Sequence, residues 1–290
     1  MSKSLSVLVT GATGQQGGAV SRALLKKGHK VRALTRKPDS AGALELKKLG
    51  AELAVGSFDD RDALVRAMTG TDAVFIMSTP FEGGMETETR QGITAVDAAR
   101  AAGVKHIVYT SVSDADKKTG IPHFDSKARV EEYLAKSGLP YTLIAPVFFS
   151  ENLVSPWGGG GLKQGVVALA MPPKRPLQHI NLEEIGAFGA LVLERREAFL
   201  GKRIDLASAE LSGEQVAEIF SRVTGKPFRF VEVPQAQMRA QNEDMAIMFE
   251  WFDKTGYSAD IAALRRDYPE VGWRSFEEWA RAQNWKQLLS

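Results

Sequence analysis

The sequence contains no cysteine, and this absence removes several classes of chemistry at once. Without thiols the chain cannot form disulfides, bind a metal through thiolates or use a cysteine nucleophile. It also lacks a strong charge of either sign, because 37 Lys and Arg residues stand against 35 Asp and Glu residues, which leaves a net charge of +2. We therefore expect no direct binding to nucleic acid or to an anionic membrane surface.

Long hydrophobic runs are missing as well, since the longest apolar stretches have the length of strands and none would span a bilayer. The N-terminal MSKSLSVLVTG has no apolar segment of the signal-peptide kind and leads directly into a predicted strand. No histidines and carboxylates have the spacing of metal ligands. These absences predict a cytoplasmic protein without a metal site.

What the chain does have, up to about Pro146, is an alternation of apolar and amphipathic segments. The predicted strands are Leu5–Thr10, Val31–Thr35, Glu52–Val55, Ala73–Met77, His106–Ser111 and Tyr141–Ala145. The predicted helices between them are Gln16–Lys27, Ala43–Leu49, Asp60–Met68, Glu88–Ala102 and Ser126–Lys136. This order is typical of an α/β protein with a Rossmann-type, doubly wound parallel sheet. We expect that domain over residues 1–150 and a smaller C-terminal α/β lobe over 151–290, with some strands and helices exchanged between the two.

A glycine-rich turn, GATGQQG, follows the first predicted strand and opens the first helix. Gly11 permits a tight turn, Gly14 lets the backbone approach a pyrophosphate, and Gly17 lets the helix pack on the strand. Free N–H groups at the start of the helix favour phosphate. The pattern predicts a dinucleotide site formed by Thr10, Gly11, Thr13, Gly14, Gln15, Gln16 and Gly17, and a tight turn without a ligand is the alternative.

The end of the second predicted strand indicates which dinucleotide binds. NAD-binding sites place an acidic residue there, whereas this chain has Thr35, Arg36 and Lys37. A guanidinium and an ammonium suit the 2′-phosphate of NADP(H), so we expect Arg36 and Lys37 to bind it. The alternative is a solvated basic turn.

Polar residues also follow the third and fourth predicted strands. Asp59 is placed to accept a hydrogen bond from the adenine amino group, or else to cap the helix that follows. Ser78, Thr79 and Pro80 are expected to face the nicotinamide ribose.

The glycine spacing resembles that of the extended and atypical short-chain dehydrogenases/reductases. Active members carry a Tyr and, four residues later, a Lys that lowers the pKa of the Tyr, while a Ser orients the substrate. No tyrosine of this chain has its lysine. At that place the sequence reads IPHFDSKARVEEYL, with His123 in the position of the tyrosine and Lys127 in that of the lysine, and Ser111 matches the serine.

The resemblance implies roles for these three residues. Lys127 would hydrogen-bond the hydroxyls of the nicotinamide ribose, and the imidazole of His123 would act as the proton donor. Ser111 would help to hold the acceptor. The alternative is that His123 packs in a loop and that Lys127 serves cofactor binding alone.

The segments GATGQQGGAV, GSFDD, HFDSKARVEEYL, PVFFSEN and NLEEIG together resemble the NmrA-like family as far as about residue 200. That family includes NADP(H)-binding redox sensors and transcriptional co-regulators, and relatives that reduce quinones or phenylpropanoid-like compounds with NADPH. The resemblance implies that Pro146, Phe148 and Phe149 border the nicotinamide and that Asn152 lies on the substrate side. Trp157, beside a run of glycines, belongs either to a lid over the nicotinamide or to a disordered surface loop.

Two functions follow from this pattern. The first is an NADPH-dependent oxidoreductase of a quinone or related carbonyl acceptor, with that small molecule as its partner. The second is a catalytically weak NADP(H) redox sensor and transcriptional co-regulator that binds a regulatory protein. The missing tyrosine favours the sensor, whereas Lys127 supports the reductase. Either would be a monomer or a homodimer.

Overall fold

The structure is a computed structural model, and it describes residues 4–155 and 161–290. Its strands are β1 (Ser6–Val9), β2 (Lys30–Thr35), β3 (Glu52–Val55), β4 (Ala73–Ile76), β5 (Ile107–Thr110), β6 (Tyr141–Pro146), β7 (Phe148–Phe149), β8 (Val166–Leu169), β9 (Pro176–Ile180), β10 (Arg203–Leu206), β11 (Ala209–Ser212) and β12 (Arg229–Glu232). Its helices are α1 (Gln15–Lys26), α2 (Ala41–Lys48), α3 (Arg61–Met68), α4 (Met85–Ala101), α5 (Pro122–Lys136), α6 (Leu182–Glu194), α7 (Arg196–Phe199), α8 (Gly213–Thr224), α9 (Gln235–Gln241), α10 (Glu243–Lys254), α11 (Ile261–Asp267), α12 (Phe276–Arg281) and α13 (Trp285–Leu288).

The main sheet has seven strands in the order β3-β2-β1-β4-β5-β6-β10. The pairs from β3 to β6 are parallel, and Val7 of β1 lies opposite Val31 of β2 on one side and Ala73 of β4 on the other. The strand order therefore reverses between β1 and β4, which is the topological switch point of a doubly wound sheet. The predicted α/β class is confirmed.

The apolar runs form the central strands because helices cover both faces of a parallel sheet. Every residue of β4 and β5 is buried. Val74 and Ile76 of β4 and Ile107 and Tyr109 of β5 pack against residues of α3, α4 and α5 in one hydrophobic core. Each strand predicted before Pro146 is present within two residues of its predicted bounds.

Two helices begin three or more residues earlier than the sequence predicted. Helix α4 begins at Met85 instead of Glu88, and α5 begins at Pro122 instead of Ser126. Proline fits the first turn of a helix, because the N–H that it lacks would have no partner there. His123 and Lys127 therefore lie one turn apart on a single helix, and the alternative in which His123 packs in a loop was wrong.

The chain forms two compact units that are interleaved along the sequence. The first holds the residues up to Asp116, His123–Ala145 and Leu182–Ile204, and the second holds Lys117–Pro122, the described residues of Pro146–Asn181, and Asp205–Ser290. Helix α6, which follows the predicted boundary at residue 150, belongs to the first unit.

The second unit contains a three-stranded sheet, β11-β9-β7, and the parallel pair β12-β8. Ser212 and Gln215 form a capping box at the start of α8, and Ser275 and Glu278 form another at α12. Within the described residues no helix combines the length and the apolar character needed to cross a membrane.

Candidate functional site

The site begins where β1 and β4 end, at the switch point of the sheet. The backbone N–H of Met77 donates to Thr10 Oγ1 at 2.8 Å, and the Thr10 hydroxyl donates to the Met77 carbonyl at 3.1 Å. Thr10 is buried and joins the two strand ends. In doubly wound proteins ligands bind beyond the carboxyl ends of the strands at this point.

The glycine turn has the geometry of a phosphate cradle. Gly11 has a φ of +58°, and a Cβ on Gly17 would lie 2.4 Å from the Gly11 carbonyl oxygen, so a side chain at residue 17 does not fit. Helix α1 starts with Gly14 as its N-cap and without a side-chain hydrogen bond to the cap. Its first N–H groups therefore remain for an anion.

The remaining residues of this turn differ in exposure. Thr13 and Gln15 are exposed beside Gly14. The Gln16 side chain instead turns toward the sheet, where its carbonyl oxygen accepts a hydrogen bond from the Thr110 hydroxyl at 2.7 Å.

Arg36 and Lys37 follow β2 and are exposed. The Arg36 guanidinium donates to both carboxylate oxygens of Glu82, at 2.7 and 2.9 Å. This hydrogen bonding, together with the attraction between the charges, raises the pKa of Arg36 and lowers that of Glu82. Glu82 was not among the predicted site residues.

Asp59 lies after β3, with its side chain 3.7 Å from the Arg90 guanidinium. It does not cap α3. The N-cap is Asp60, whose carboxylate accepts a hydrogen bond from the Ala63 N–H at 2.9 Å. The capping alternative for Asp59 was therefore wrong, and the exposed carboxylate remains at the edge of the site.

Ser78, Thr79 and Pro80 start the loop between β4 and α4. Ser78 is buried, with its hydroxyl 3.3 Å from that of Tyr109. Thr79 Oγ1 accepts from the N–H of Phe81, and the Pro80 carbonyl accepts from the N–H of Gly84 at 2.7 Å. These bonds form a turn that presents Phe81 and Glu82 at the surface.

Lys127 is buried in an ionic cluster that the sequence did not predict. Its Nζ lies 2.7 Å from Glu88 Oε1 and 3.1 Å from the Ser78 carbonyl, to which it donates. The other oxygen of Glu88 accepts from the Ser126 hydroxyl at 2.5 Å. Glu88 is completely buried on α4.

His123 lies on the same helix as Lys127 and is also buried. Its ring centroid is 4.9 Å from that of Phe124 in an edge-on contact and 6.2 Å from that of Phe81. Phe81 is 68% exposed, so it places an apolar ring in solvent beside the imidazole.

Ser111 follows β5, but its hydroxyl is buried and makes no hydrogen bond of acceptable geometry in the described part of the chain. Ser111 lies near Glu131. Burial raises the pKa of Glu131, whereas the facing Arg203 and the Ser111 hydroxyl lower it. Arg203 Nε lies 3.1 Å from Glu131 Oε2.

The other predicted site residues belong to the second unit or lie outside the residues that the structure describes. Phe148 is buried there, with its ring edge-on to His179 at 5.6 Å. Pro146 and Phe149 are in β6 and β7, and the Asn152 carbonyl accepts from the Ser155 hydroxyl. Trp157 falls outside the described residues.

The donor set fits a dinucleotide. In residues 4–155 and 161–290 no three His, Asp or Glu side chains converge in a way that would hold a metal ion. By contrast, three groups lie on segments that follow the parallel strands or pack beside them. They are the uncapped start of α1, the exposed guanidinium of Arg36 and the ammonium of Lys127. These are the groups that phosphates and ribose hydroxyls require.

The family of the chain follows from its sequence profile, because the model of the NmrA-like family matches residues 3–280. The chain belongs to this family. One relative of this NmrA-like protein is (4-alkanoyl-5-oxo-2,5-dihydrofuran-3-yl)methyl phosphate reductase of Streptomyces griseus. The two are 33% identical over 78% of this chain and 77% of the reductase.

Solved structures have the same fold as this NmrA-like chain. One is NmrA, a negative transcriptional regulator, in complex with NADP, at 24% identity and a TM-score of 0.79, over 98% of this chain and 99% of that one. Another is the NADPH-dependent quinone oxidoreductase of Escherichia coli complexed with NADPH, at 24% identity and a TM-score of 0.79, over 94% of this chain and 98% of that one.

Proposed function

We propose that the chain is an NADP(H)-binding oxidoreductase that reduces a quinone or a related planar carbonyl compound. The observation that carries this proposal is the position of the glycine turn, at the switch point of the sheet, with Arg36 exposed at the end of the adjacent strand. The reductase from Streptomyces and the quinone oxidoreductase from E. coli support the reaction class.

The cofactor would be bound by separate groups along the carboxyl edge of the sheet. The turn from Gly11 to Gly17 offers its N–H groups to the pyrophosphate, and Arg36 with Lys37 offers positive charge to the 2′-phosphate. Asp59 is exposed near the expected adenine. Thr10, Ser78, Thr79 and Pro80 shape the floor of the site, and Lys127 hydrogen-bonds the nicotinamide ribose.

The chain also supplies groups for the reaction itself. Bound NADPH would supply a hydride to the acceptor. His123 would donate the accompanying proton, because its imidazole lies one turn from Lys127 on α5. Phe81 would stack against a planar acceptor, since its ring is exposed beside that of His123. Ser111 would help to hold the acceptor, because its hydroxyl makes no hydrogen bond of acceptable geometry in the described part of the chain.

Four residues that the resemblance placed near the nicotinamide and the acceptor keep that role in the proposal. They are Pro146, Phe148, Phe149 and Asn152. The cytoplasmic location and a monomeric or homodimeric state remain predictions of the same kind.

The direct test is oxidation of NADPH by the purified protein with a panel of quinones and enones. We expect turnover on the order of 1 s⁻¹ or faster. It should collapse in Lys127→Ala and His123→Ala but persist in Lys136→Ala, which removes an exposed lysine from the same helix. A protein that oxidises no NADPH with any acceptor would exclude the reductase.

A second candidate is a redox sensor in which bound NADP(H) alters affinity for a regulatory protein. Two observations favour it: position 123 holds a histidine instead of a tyrosine, and a structural neighbour is the transcriptional regulator NmrA. Such a sensor needs different cofactor affinities in two states of the protein, not chemistry. The sensor would be excluded if the affinity for the regulatory partner were the same with and without NADP(H).

A further inference from the structure

Lys127 and Glu88 come from helices that are far apart in sequence, and both are buried. Glu88 lies on α4 and is completely buried, and Lys127 on α5 has a side chain that is 11% exposed. Their charged atoms are 2.7 Å apart. A buried carboxylate is costly unless it is paired and hydrogen-bonded, so this arrangement requires a compensating set of contacts.

The carboxylate of Glu88 has that set. Oε1 accepts from Lys127 and, at 3.3 Å, from the Ser78 hydroxyl, and Oε2 accepts from Ser126. Both oxygens are therefore held, which fixes the carboxylate in one orientation. Ser126 stands immediately before Lys127, so α5 presents both a donor that orients Glu88 and the ammonium that Glu88 binds.

The N–H donors of the Lys127 ammonium can be compared with the acceptors around them. An ammonium has three N–H donors. In the described part of the chain, Nζ makes two hydrogen bonds, one to Glu88 and one to the Ser78 carbonyl. One donor remains for a group that the protein itself does not provide.

Glu88 is also the charge closest to the ammonium. Burial raises the pKa of Tyr109 well above its ordinary value, so this phenol, whose hydroxyl is 3.3 Å from that of Ser78, stays neutral. Glu131, one turn further along α5, is paired with Arg203. His123 lies one turn before Lys127 and contacts aromatic rings.

We propose that Glu88 is a positioning residue, which fixes Lys127 so that one N–H of its ammonium remains for the nicotinamide ribose of NADP(H). This inference rests on the proposed function, because it needs the cofactor to bind beside Lys127. Glu88 itself does not contact the cofactor. Its effect is confined to the nicotinamide end of the site.

The test compares two probes that share the adenine end of the cofactor. NADPH carries the nicotinamide ribose, whereas adenosine 2′,5′-bisphosphate lacks it. Calorimetric dissociation constants are measured for wild type, Glu88→Gln and Glu86→Gln, the last of which changes an exposed glutamate on the same helix. We expect Glu88→Gln to weaken NADPH about tenfold, the usual scale for a hydrogen bond to a charged group. The bisphosphate should bind within about twofold of wild type, and Glu86→Gln should change neither probe.

A double variant separates positioning from folding. Glu88→Gln leaves a buried ammonium without its counter-charge and lowers the melting temperature. Adding Lys127→Met removes that charge, so the melting temperature should recover while NADPH affinity should not. If Glu88→Gln does not fold, Ser126→Ala replaces it, and we expect a weaker loss of about threefold for NADPH alone.

Three results would overturn the inference while leaving the proposed function in place. An unchanged NADPH affinity in the folded Glu88 or Ser126 variants would show that Lys127 needs no support. An equal loss for both probes would show a general structural role. Recovery of NADPH affinity in the double variant would show that Lys127 itself is not the group being positioned. Wild type that binds neither probe would instead exclude the proposed function and this inference with it.

Discussion

Arg36 and Glu82 form a two-point ion pair in which each terminal nitrogen of the guanidinium faces one carboxylate oxygen, at 2.7 and 2.9 Å. A phosphate would use the same fork of N–H donors. Glu82 is an anion here, since its hydrogen bonds with Arg36 lower its pKa. The carboxylate therefore competes with the 2′-phosphate of NADP(H) for Arg36.

Glu82→Gln should consequently tighten the binding of NADPH. Both side chains are more than half exposed, and such pairs contribute up to about 1 kcal/mol, so we expect a gain of up to about fivefold. NADH lacks the phosphate and should bind as it does to wild type. Titration calorimetry with the two cofactors measures the difference, and Glu86→Gln controls for the loss of one negative charge. An equal gain for NADH would contradict the competition.

The strands and the glycine turn could be predicted because their signals are local. The apolar runs that became β1, β4 and β5 are continuous in the sequence. Gly11 is required by its positive φ, and Gly17 is constrained by backbone atoms of Thr10 and Gly11 in the same turn. Arg36 could be predicted because its place after β2 is set by the fold.

Glu82 and Glu88 could not be predicted, because their partners are distant in the sequence. Glu88 is separated from Lys127 by 39 residues and Glu82 from Arg36 by 46. Glu88 also lies in the first turn of α4, where acidic residues are common because they favour the helix dipole. Only the packing of α4 against α5 distinguishes it from an exposed glutamate.

Gly17→Ala should destabilise the first unit and weaken NADPH binding together. The new Cβ would lie 2.4 Å from a backbone oxygen, which cannot move without opening the turn. Forced overpacking of this kind costs about 1–3 kcal/mol. Urea unfolding and cofactor titration measure the two effects.

Gly42→Ala is the matched control, since its Cβ would meet Thr13 at an ordinary 3.4 Å. An alanine within a helix is favoured over glycine by about 0.5–1 kcal/mol, so this variant should be as stable as wild type or more so. If Gly17→Ala were equally well tolerated, the turn would not be the tight cradle described above.

Phe81→Ala should raise KM for a planar acceptor without changing KM for NADPH. The exposed ring beside His123 would be buried by a stacked acceptor, and burial of such a side chain is worth about 1.5–3 kcal/mol. We expect an increase of about tenfold or more in the acceptor KM, measured by steady-state kinetics with one quinone. Leu49→Ala, at an exposed apolar position after α2, serves as the control. An unchanged acceptor KM would place the acceptor elsewhere.

His179 should make the stability of the chain depend on pH. It is buried between the rings of Phe148 and Phe276, and burial lowers its pKa from 6.5 to about 3. Below pH 6.5 this histidine is protonated in the unfolded chain but stays neutral in the folded chain. Its contribution to the free energy of unfolding is therefore fully present above pH 6.5 and is lost as the pH falls toward 3. The loss approaches about 1.4 kcal/mol per pH unit. Urea unfolding at several pH values should show this slope in wild type and in Phe276→Leu, which is destabilised but keeps the imidazole. His179→Leu should have a shallower slope, and an identical slope in all three proteins would assign the acid sensitivity to other groups.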